Sequence, residues 1–327
     1  MRSSDLLHHE RELLASVVAE THCGRNRRAG KVRDLYARAG RVGLVSTDRL
    51  SAFDRAITTV PLKGRILNLL SEWWFAQTRD IVPNAVLAAP HPQLTVMREC
   101  RPLPLEFVVR GYLTGSTSTS LWTRYRAGER DFEGHSLPDG LRKNDRLPQP
   151  LLTPTTKGSL HDESITGAQA VNRGLLSAPE WERASAAALA LFQRGTEIAR
   201  RAGFVLADTK YEFGVDEGGT VVLLDEVHTP DSSRFWKAES LPGRLARGEE
   251  PESADKEYLR LWYADRCDPY HDEELPEAPD ELRLELTRRY LHLYEEITGG
   301  HEIPFSVDED PPHDLRAVLA EWDLLEE

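Results

Sequence analysis

The stretch FVLADTKYEFGVDEGGTVVLLDEVHT, residues 204–229, contains two segments rich in β-forming residues, separated by the polar turn DEGG. This pattern predicts a β-hairpin. If Gly218 and Gly219 form a two-residue turn, Glu212 lies directly opposite Asp225. A four-residue turn would instead make the two acids diagonal neighbours on the same face of the sheet.

Two carboxylates at this separation repel each other unless a cation lies between them. Oxygen ligands suit magnesium, so we predict that Glu212 and Asp225 hold Mg²⁺. Asp208 and Lys210 share the face of Glu212, because side chains alternate along a strand. The alternative interpretation is an exposed acidic hairpin with solvated charges.

The segments around this hairpin mix strands and helices without strict alternation, which indicates an α+β fold. Ser177 and Glu180 form a capping-box pattern that predicts the start of a helix, with Gly203 at its end. A domain boundary is expected near residues 105–115, giving domains 1–108 and 109–327. The pattern also predicts strands over 42–46 and 105–113, helices over 66–79, 256–263 and 280–298, a loop over 134–163 and an acidic peripheral tail from Asp308.

The net charge of the 327-residue chain is −13, from 41 Lys and Arg against 54 Asp and Glu. This charge argues against a nucleic-acid or acidic-membrane partner. The N-terminus opens with charged and polar residues, so no signal peptide is expected. The three cysteines fall in no motif, which fits a cytoplasmic protein without a cysteine metal cluster. They are Cys23, Cys100 and Cys267.

Five further segments carry cations or hydroxyls that suit phosphate or carboxylate groups. Each has an ordinary alternative, such as a basic turn, a polar loop or a solvated helix face. Lys256 and Arg260, for example, are four residues apart and share one helix face. The segments are Gly30–Asp34 with Lys31 and Arg33, Arg110 to Ser116, Thr153–Lys157 with His161–Glu163 following, Pro230–Arg234, and Lys256 with Arg260.

Taken together, these segments closely resemble the phosphoribosylaminoimidazole-succinocarboxamide synthase (SAICAR synthetase) family, most of all its plant-type branch. The resemblance runs in order from about residue 25 to residue 300. Its motifs are GKVRDLY (30–36), TDRLSAFD (47–54), EFVVRGYLTGS (106–116), TPTTK (153–157) with HDE (161–163), LADTKYEFG (206–214), DEVHTPDSSRFW (225–236) and DKEYLR (255–260).

The resemblance implies a two-domain α+β fold related to the nucleotide-binding architecture of ATP-grasp ligases and protein kinases. The N-terminal domain would cover the nucleotide, and the larger domain would carry the magnesium and substrate site. The implied roles are ATP binding by Lys31, Arg33, Glu106 and Lys157, magnesium binding by Glu212 and Asp225, substrate binding by Ser51, Arg110, Ser116, Arg234, Lys256 and Arg260, and catalysis by Lys157, Asp208 and Lys210.

Two departures from the family pattern stand out. Residues 117–120 (TSTS) separate Ser116 from Leu121, where many relatives continue almost directly to a tryptophan, and His228 replaces an apolar residue. Both look like features of the plant-type branch, and they leave the loop geometry beside the substrate open.

The implied activity is that of a carbon–nitrogen ligase in purine biosynthesis. It would join L-aspartate to 5-aminoimidazole-4-carboxylate ribotide (CAIR) at the expense of ATP, with Mg²⁺ as cofactor. ATP would phosphorylate the CAIR carboxylate, and the aspartate amine would then displace phosphate. Such chemistry depends mainly on positioning and charge neutralisation. Asp208 is the candidate for accepting the proton of the amine.

Three alternatives remain open from the sequence. A paralogue from a nucleoside natural-product pathway would keep the fold and change the acid. A nucleotide-binding regulator would lack turnover, although both magnesium carboxylates and every motif lysine are present. A protein kinase would share the fold, but the HRD and DFG patterns are missing.

Overall fold

The structure is a computed structural model, and it describes residues 1–53, 55–116, 120–157, 163–306 and 311–326. Its helices are α1 (Glu10–Ala15), α2 (Lys63–Gln77), α3 (Leu121–Arg126), α4 (Gly167–Asn172), α5 (Ala178–Arg201), α6 (Leu241–Ala246), α7 (Glu257–Ala264), α8 (Asp280–Thr298) and α9 (Pro311–Glu321). Within those ranges, none of the helices combines the length and the apolar character needed to cross a membrane.

The strands of the first half are β1 (Arg27–Ala29), β2 (Arg33–Arg38), β3 (Arg41–Ser46), β4 (Arg49–Ala52), β5 (Arg55–Thr59), β6 (Val86–His91), β7 (Leu94–Arg98) and β8 (Arg101–Pro102). Those of the second half are β9 (Leu105–Tyr112), β10 (Asp131–Phe132), β11 (His135–Ser136), β12 (Arg146–Leu152), β13 (Thr155–Thr156), β14 (Phe204–Val215), β15 (Val221–Leu224) and β16 (Ser233–Lys237). The predicted α+β class is confirmed.

The first half is built on an antiparallel sheet in the order β1-β2-β3-β7-β6. The predicted strand 42–46 corresponds to β3, and the predicted helix 66–79 corresponds to α2, which begins three residues earlier. Ile66, Leu70 and Trp74 lie on one face of α2 and are fully buried. The sequence predicts the helix from a stripe of Ile66, Leu69, Leu70 and Trp73 at helical spacing. The helix is confirmed, but Leu69 and Trp73 are only partly buried, and Trp74 is the buried tryptophan.

The second half is built on a seven-stranded sheet in which β9 and β14 are neighbours at the centre. The predicted strand 105–113 corresponds to β9, and the first strand of the predicted hairpin corresponds to β14. Helix α5 packs across β14 and β9. Its predicted capping box is present, because the Ser177 side chain accepts from the Glu180 N–H and Glu180 reaches back to Ser177. Gly203 follows the helix with a φ of 80°, a conformation that favours glycine.

The hairpin prediction is confirmed, but its predicted register is wrong by one residue. Val215 pairs with Val221, and Glu212 lies opposite Leu224 instead of Asp225. The loop has three residues, ending in Gly219 with a φ of 80°. The Asp216 carboxylate accepts from the N–H groups of Gly218 in the loop and Thr220 just after it, at 3.0 and 2.9 Å. These hydrogen bonds from the backbone to the Asp216 side chain favour the three-residue loop over a two-residue turn.

Two other expectations are wrong. The segment 134–163 is not only a loop, because β11, β12 and β13 lie within it, and β12 and β13 pair with β9. The tail is not peripheral, because α9 packs near the first sheet and buries Leu315 and Leu319 in a cluster with Tyr36 and Val96. The tail was predicted to be peripheral because its acidic residues outnumber these few apolar ones in the sequence. Asp308, where the tail was expected to begin, lies outside the described residues.

The proposed boundary between residues 108 and 109 stays a prediction. Strand β9 runs continuously through it, and a single apolar cluster contains both α2 residues and β14 residues.

His228 is fully buried between the two halves. Its ring lies 4.6 Å from that of Trp74, edge to face, and its Nε2 atom hydrogen-bonds the Tyr211 hydroxyl. Burial lowers the pKa of His228 to about 3, so the ring is neutral near pH 7. A Cβ atom at Gly195 of α5 would lie 2.3 Å from the His228 ring. The glycine is therefore what allows the imidazole to fit.

We expect Gly195→Ala to destabilise the fold by about 1–3 kcal/mol, because the added methyl group overpacks a rigid neighbour. The higher helix propensity of alanine works in the opposite direction by about 1 kcal/mol. Urea unfolding measures the difference. Gly243→Ala is the matched control, since a Cβ atom at that helical glycine would have the Arg247 side chain as its nearest neighbour, at 3.4 Å. Equal stability changes in the two variants would contradict this account of His228.

Candidate active site

A cavity of about 280 Å³ opens where β9, β14 and β16 meet the start of α7. Six of the residues predicted from the sequence line the wall of this cavity. They are Arg110, Asp208, Lys210, Arg234, Lys256 and Arg260. Four of the six come from neighbouring strands of one sheet, since Asp208 is paired with Arg110 on one side and Arg234 on the other.

Asp208 lies between the two arginines of this wall. Arg234 donates to the Asp208 carboxylate at 2.6 Å, and Arg110 approaches it to 3.9 Å. Arg110 also donates to the Thr153 hydroxyl at 2.8 Å. These contacts fix both guanidinium groups at the edge of the cavity. Arg234 also approaches Glu257 to 3.8 Å. Lys256 and Arg260 add further positive charge to the wall, which suits an anionic ligand.

The two carboxylates predicted to bind magnesium are both engaged by predicted ATP-binding cations. Lys157 forms an ion pair with Glu212, and Arg33 forms one with Asp225. Arg33 starts in the first sheet, and it also contacts Glu226 at 3.0 Å. Asp225 follows β15 with a φ of 62°, and this left-handed turn redirects the chain immediately after the strand.

Lys210 connects the carboxylates with Glu106 of β9. Its ammonium group forms an ion pair with Glu106 and lies 3.5 Å from Glu212. These two carboxylates raise the pKa of Lys210 and outweigh the effect of its burial. Glu106, Lys157, Lys210 and Glu212 therefore form one continuous charged cluster beside the cavity.

The carboxylate pair has the electrostatic character of a cation site. Burial, together with the charges of Glu212 and Glu226, raises the pKa of Asp225 to about 6, although Arg33 opposes the shift. Burial also acts to raise the pKa of Glu212, but Lys210 and Lys157 outweigh it and lower this pKa. Where the chain is described, no group of three or more metal-ligating side chains occurs. A pair of carboxylates still fits magnesium, which often combines one or two with substrate phosphates.

Three predicted site residues, Lys31, Ser51 and Ser116, belong neither to the described wall of the cavity nor to the ion pairs around Glu212 and Asp225. Lys31 lies in the tight turn between β1 and β2, where the Gly30 N–H donates to the Arg33 carbonyl at 2.7 Å. Ser51 lies in the β4–β5 hairpin, opposite Ala56. Ser116 donates to Glu257 at 3.1 Å. Residues 117–119 of the insertion, together with His161 and Asp162, lie outside the described residues.

The predicted site residues did not include two acids and one lysine around the cavity, Asp231, Asp255 and Lys63. Lys63, at the start of α2, is fully buried and its ammonium lies 2.7 Å from Asp231. Despite burial, Lys63 and Lys256 lower the pKa of Asp231 to about 2. Asp255 accepts from two backbone N–H groups at 2.8 Å, while burial raises its pKa to about 6. Asp231 and Asp255 occur inside motifs already quoted, so their position there was an available signal.

Comparison with known proteins agrees with the family resemblance inferred from the motifs. The SAICAR synthetase family profile matches residues 26–276. The phosphoribosylaminoimidazole-succinocarboxamide synthase of Legionella pneumophila (strain Paris) is 53% identical over 270 residues, which are 83% of this chain and 86% of that protein. The chloroplastic synthase of Arabidopsis thaliana is 48% identical over 305 residues, 93% of this chain and 73% of that protein.

Among solved structures, the SAICAR synthase from Saccharomyces cerevisiae complexed with SAICAR superposes with a TM-score of 0.75 and 32% identity. The match covers 87% of this chain and 99% of that one. The resemblance inferred from the motifs is thus confirmed, including its extension to plant members. By profile, sequence identity and structure, the chain belongs to the SAICAR synthetase family.

Proposed function

We propose that this protein is the ATP-dependent ligase that joins L-aspartate to CAIR and forms SAICAR, ADP and phosphate in purine biosynthesis. The observation that carries the proposal is the concentration of cations around one cavity beside a carboxylate pair. Arg110, Lys210, Arg234, Lys256 and Arg260 line that cavity in a chain with a net charge of −13. All three substrates are anions, and such a local positive field attracts them.

We assign ATP to the charged cluster between the two halves. Lys31, Arg33 and Lys157 would contact its phosphates, and Glu106 would lie near the adenine. Mg²⁺ would be held by Glu212 and Asp225, where it would neutralise phosphate charge. Arg33 and Lys157 are paired with these same carboxylates. When ATP and Mg²⁺ bind, Arg33 and Lys157 would move from the carboxylates to the phosphates, and Mg²⁺ would take their place on Glu212 and Asp225. Both the cations and the carboxylates would then keep a partner of opposite charge.

We assign the ribotide to Arg110, Ser116 and Arg234, with Arg234 at its phosphate. The wall formed by Arg110, Asp208 and Arg234 supports this assignment, because both guanidinium groups are held in place before a ligand arrives. Preorganised arginines bind phosphate through paired hydrogen bonds at low entropic cost. Asp208 remains the proposed acceptor of the amine proton, and its contact with Arg234 also makes it an orienting group.

The chemistry follows from the leaving-group problem. A carboxylate oxygen is expelled only after it has been converted into a better leaving group. A CAIR carboxylate oxygen would attack the γ-phosphorus of ATP and release ADP, and the neutral aspartate amine would then attack the acyl carbon. The C–O bond breaks, and phosphate leaves with that oxygen. Lys157 and Lys210 would offset the charge on the transferring group.

Oxygen-18 labelling tests this order of bond making. With the CAIR carboxylate labelled, we expect one labelled oxygen in the released phosphate, the other in the amide product, and ADP as the nucleotide product. Mass spectrometry of phosphate and product measures both. Omission of aspartate is the control, because background ATP hydrolysis releases unlabelled phosphate. AMP with pyrophosphate, or complete retention of label in the amide, would refute the acyl phosphate.

We further infer that residues 1–108 cover the nucleotide and that residues 109–327 carry the metal and substrate groups. The position of Arg33, which reaches from the first sheet to Asp225, supports this division of labour. A cytoplasmic location is also proposed. It is supported by Cys23, Cys100 and Cys267, all of which are free thiols.

A further inference from the structure

The tight turn between β1 and β2, residues 30–33, contains two of the residues that we assigned to the ATP phosphates. All four of its backbone carbonyl groups accept hydrogen bonds from one short segment, residues 47–49, which follows β3. Thr47 contributes its N–H and its hydroxyl group, which donate to the Val32 carbonyl at 3.1 and 2.8 Å. Two donors on one acceptor hold the middle of the turn in place.

Arg49 binds the other three carbonyl groups of the turn through one guanidinium group. Its side chain is only 14% exposed, and its counter-ion is the fully buried Asp34 at 2.9 Å. An arginine presents five N–H donors in a rigid fork, so it can hold several acceptors in one fixed arrangement. The three acceptors in the turn are the carbonyl oxygens of Gly30, Lys31 and Arg33, at 3.0, 3.2 and 3.1 Å.

Asp34 keeps this guanidinium group in place. Its carboxylate accepts from the N–H and the hydroxyl group of Thr21 at 2.7 and 2.8 Å, and it contacts Arg27 at 3.1 Å. Burial acts to raise the pKa of Asp34, but the hydrogen bonds from Thr21, Arg27 and Arg49 outweigh burial and lower this pKa. Asp34 is therefore ionised near pH 7, and Arg49 has a fixed partner before any ligand binds.

The contacts of the carbonyl groups determine where the N–H groups of the turn point. In a planar trans peptide the C=O and N–H bonds point in opposite directions. The carbonyl groups of Gly30 and Lys31 belong to the same peptides as the N–H groups of Lys31 and Val32, so these N–H groups point away from Arg49. The Val32 N–H has no hydrogen-bond partner among the described residues. Neighbouring backbone N–H groups that point to one side form a binding site for phosphate oxygens.

We propose that Arg49, assisted by Thr47, is a positioning residue for nucleotide binding: it holds the carbonyl groups of the turn on one side and so presents the N–H groups of Lys31 and Val32 to the ATP phosphates. This inference rests on the proposed function. Arg49 acts through the turn and does not touch the nucleotide, because its guanidinium group is engaged with Asp34 on the opposite side. Without these contacts the turn would have to be ordered when ATP binds, and that cost would weaken binding.

Arg49→Lys tests the proposal, because it keeps the charge beside Asp34 but has too few donors for that carboxylate and three carbonyl oxygens. We expect the Kd for a nonhydrolysable ATP analogue and the KM for ATP to rise about tenfold or more, the effect of losing one or two charge-assisted hydrogen bonds. The KM values for CAIR and L-aspartate should change less than about threefold. Adenosine, which has no phosphates, should bind as it does to the wild type. Calorimetric titration and steady-state kinetics measure these effects.

Arg27→Gln is the matched control, because Arg27 also contacts Asp34 but donates to none of the carbonyl groups of residues 30–33. It should lower the thermal unfolding midpoint and leave the affinity for the ATP analogue unchanged. Thr47→Val covers the case in which Arg49→Lys does not fold, since it removes only the hydroxyl contact with the Val32 carbonyl. We expect it to raise the Kd for the analogue about threefold, and Thr47→Ser should restore the affinity.

Two results would overturn the role of Arg49. If Arg49→Lys binds the ATP analogue like the wild type, or loses adenosine and CAIR to the same extent, Arg49 only stabilises the fold. If Arg27→Gln loses as much ATP affinity as Arg49→Lys, the effect comes from Asp34 and not from the carbonyl groups of the turn. The titration needs no turnover, so a wild-type protein that binds the analogue but forms no ADP with CAIR and aspartate would refute the proposed function alone. A wild-type protein that does not bind the analogue would refute both.

Discussion

Replacing Glu212 with Gln, or Asp225 with Asn, is expected to lower turnover about a hundredfold or more, because each change removes a charge that the phosphoryl transfer site needs. Both substitutions preserve side-chain volume, so the fold should persist. Each also removes the partner of a cation, Lys157 in one case and Arg33 in the other. Turnover at saturating ATP, CAIR and aspartate measures the effect, and the thermal unfolding midpoint reports on the fold.

Glu217→Gln is the control for this pair, because Glu217 is an exposed acid in the loop of the same hairpin. It should leave turnover unchanged. Removal of divalent cations with EDTA should abolish wild-type turnover, and added Mg²⁺ should restore it. In the two variants, we expect the Mg²⁺ concentration for half-maximal rate to rise. Near-normal rates in both variants, with an unchanged magnesium requirement, would show that the metal is held elsewhere.

Arg234→Ala is expected to weaken ribotide binding by about 2–4 kcal/mol, because a largely buried charge partner of the phosphate is lost. By the relation between affinity and free energy this is roughly 30- to 900-fold. The affinity for ATP should change little, since Arg234 contacts Asp208 and Glu257 and not the acids next to Arg33 and Lys157. Calorimetric titration with CAIR and with a nonhydrolysable ATP analogue separates the two effects.

Arg247→Ala provides the comparison, because Arg247 is exposed and pairs with its near neighbour Glu249. It should bind CAIR like the wild type. Loss of ATP binding with intact ribotide binding would mean that the two ligands have been assigned to the wrong ends of the site. The Arg234→Ala substitution also leaves Arg110, at 3.9 Å, as the remaining partner of Asp208. The thermal unfolding midpoint of Arg234→Ala should therefore be measured alongside its affinities.

Short-range patterns in the sequence were reliable where the physics is local. The capping box at Ser177 and the helical spacing of apolar residues in α2 are decided within one or two helical turns. The capping box and the helix are as predicted, although Trp74 and not Trp73 is the buried tryptophan of α2. The alternation that placed Asp208, Lys210 and Glu212 on one face also depends on a single strand. By contrast, the turn length was mispredicted because the Asp216 carboxylate caps a three-residue loop.

The one-residue shift in register has a further consequence. In a regular strand it would direct Asp225 to the face opposite Glu212, because successive side chains alternate. The left-handed backbone at Asp225 ends the regular strand and lets this carboxylate meet Arg33. The association of the two acids was thus predicted for the wrong geometric reason, and their joint role as metal ligands remains a prediction.

The sequence alone determined the class of the fold, the family and the set of charged residues that the site uses, because motifs and strand periodicity are properties of neighbouring residues. Only the tertiary structure decided which charges meet. Lys63 and Asp231 are 168 positions apart in the chain and form a buried ion pair, and α9 returns to the first sheet through Leu315 and Leu319. Such contacts depend on how two sheets and their helices pack, and no local pattern encodes the partner of a buried charge.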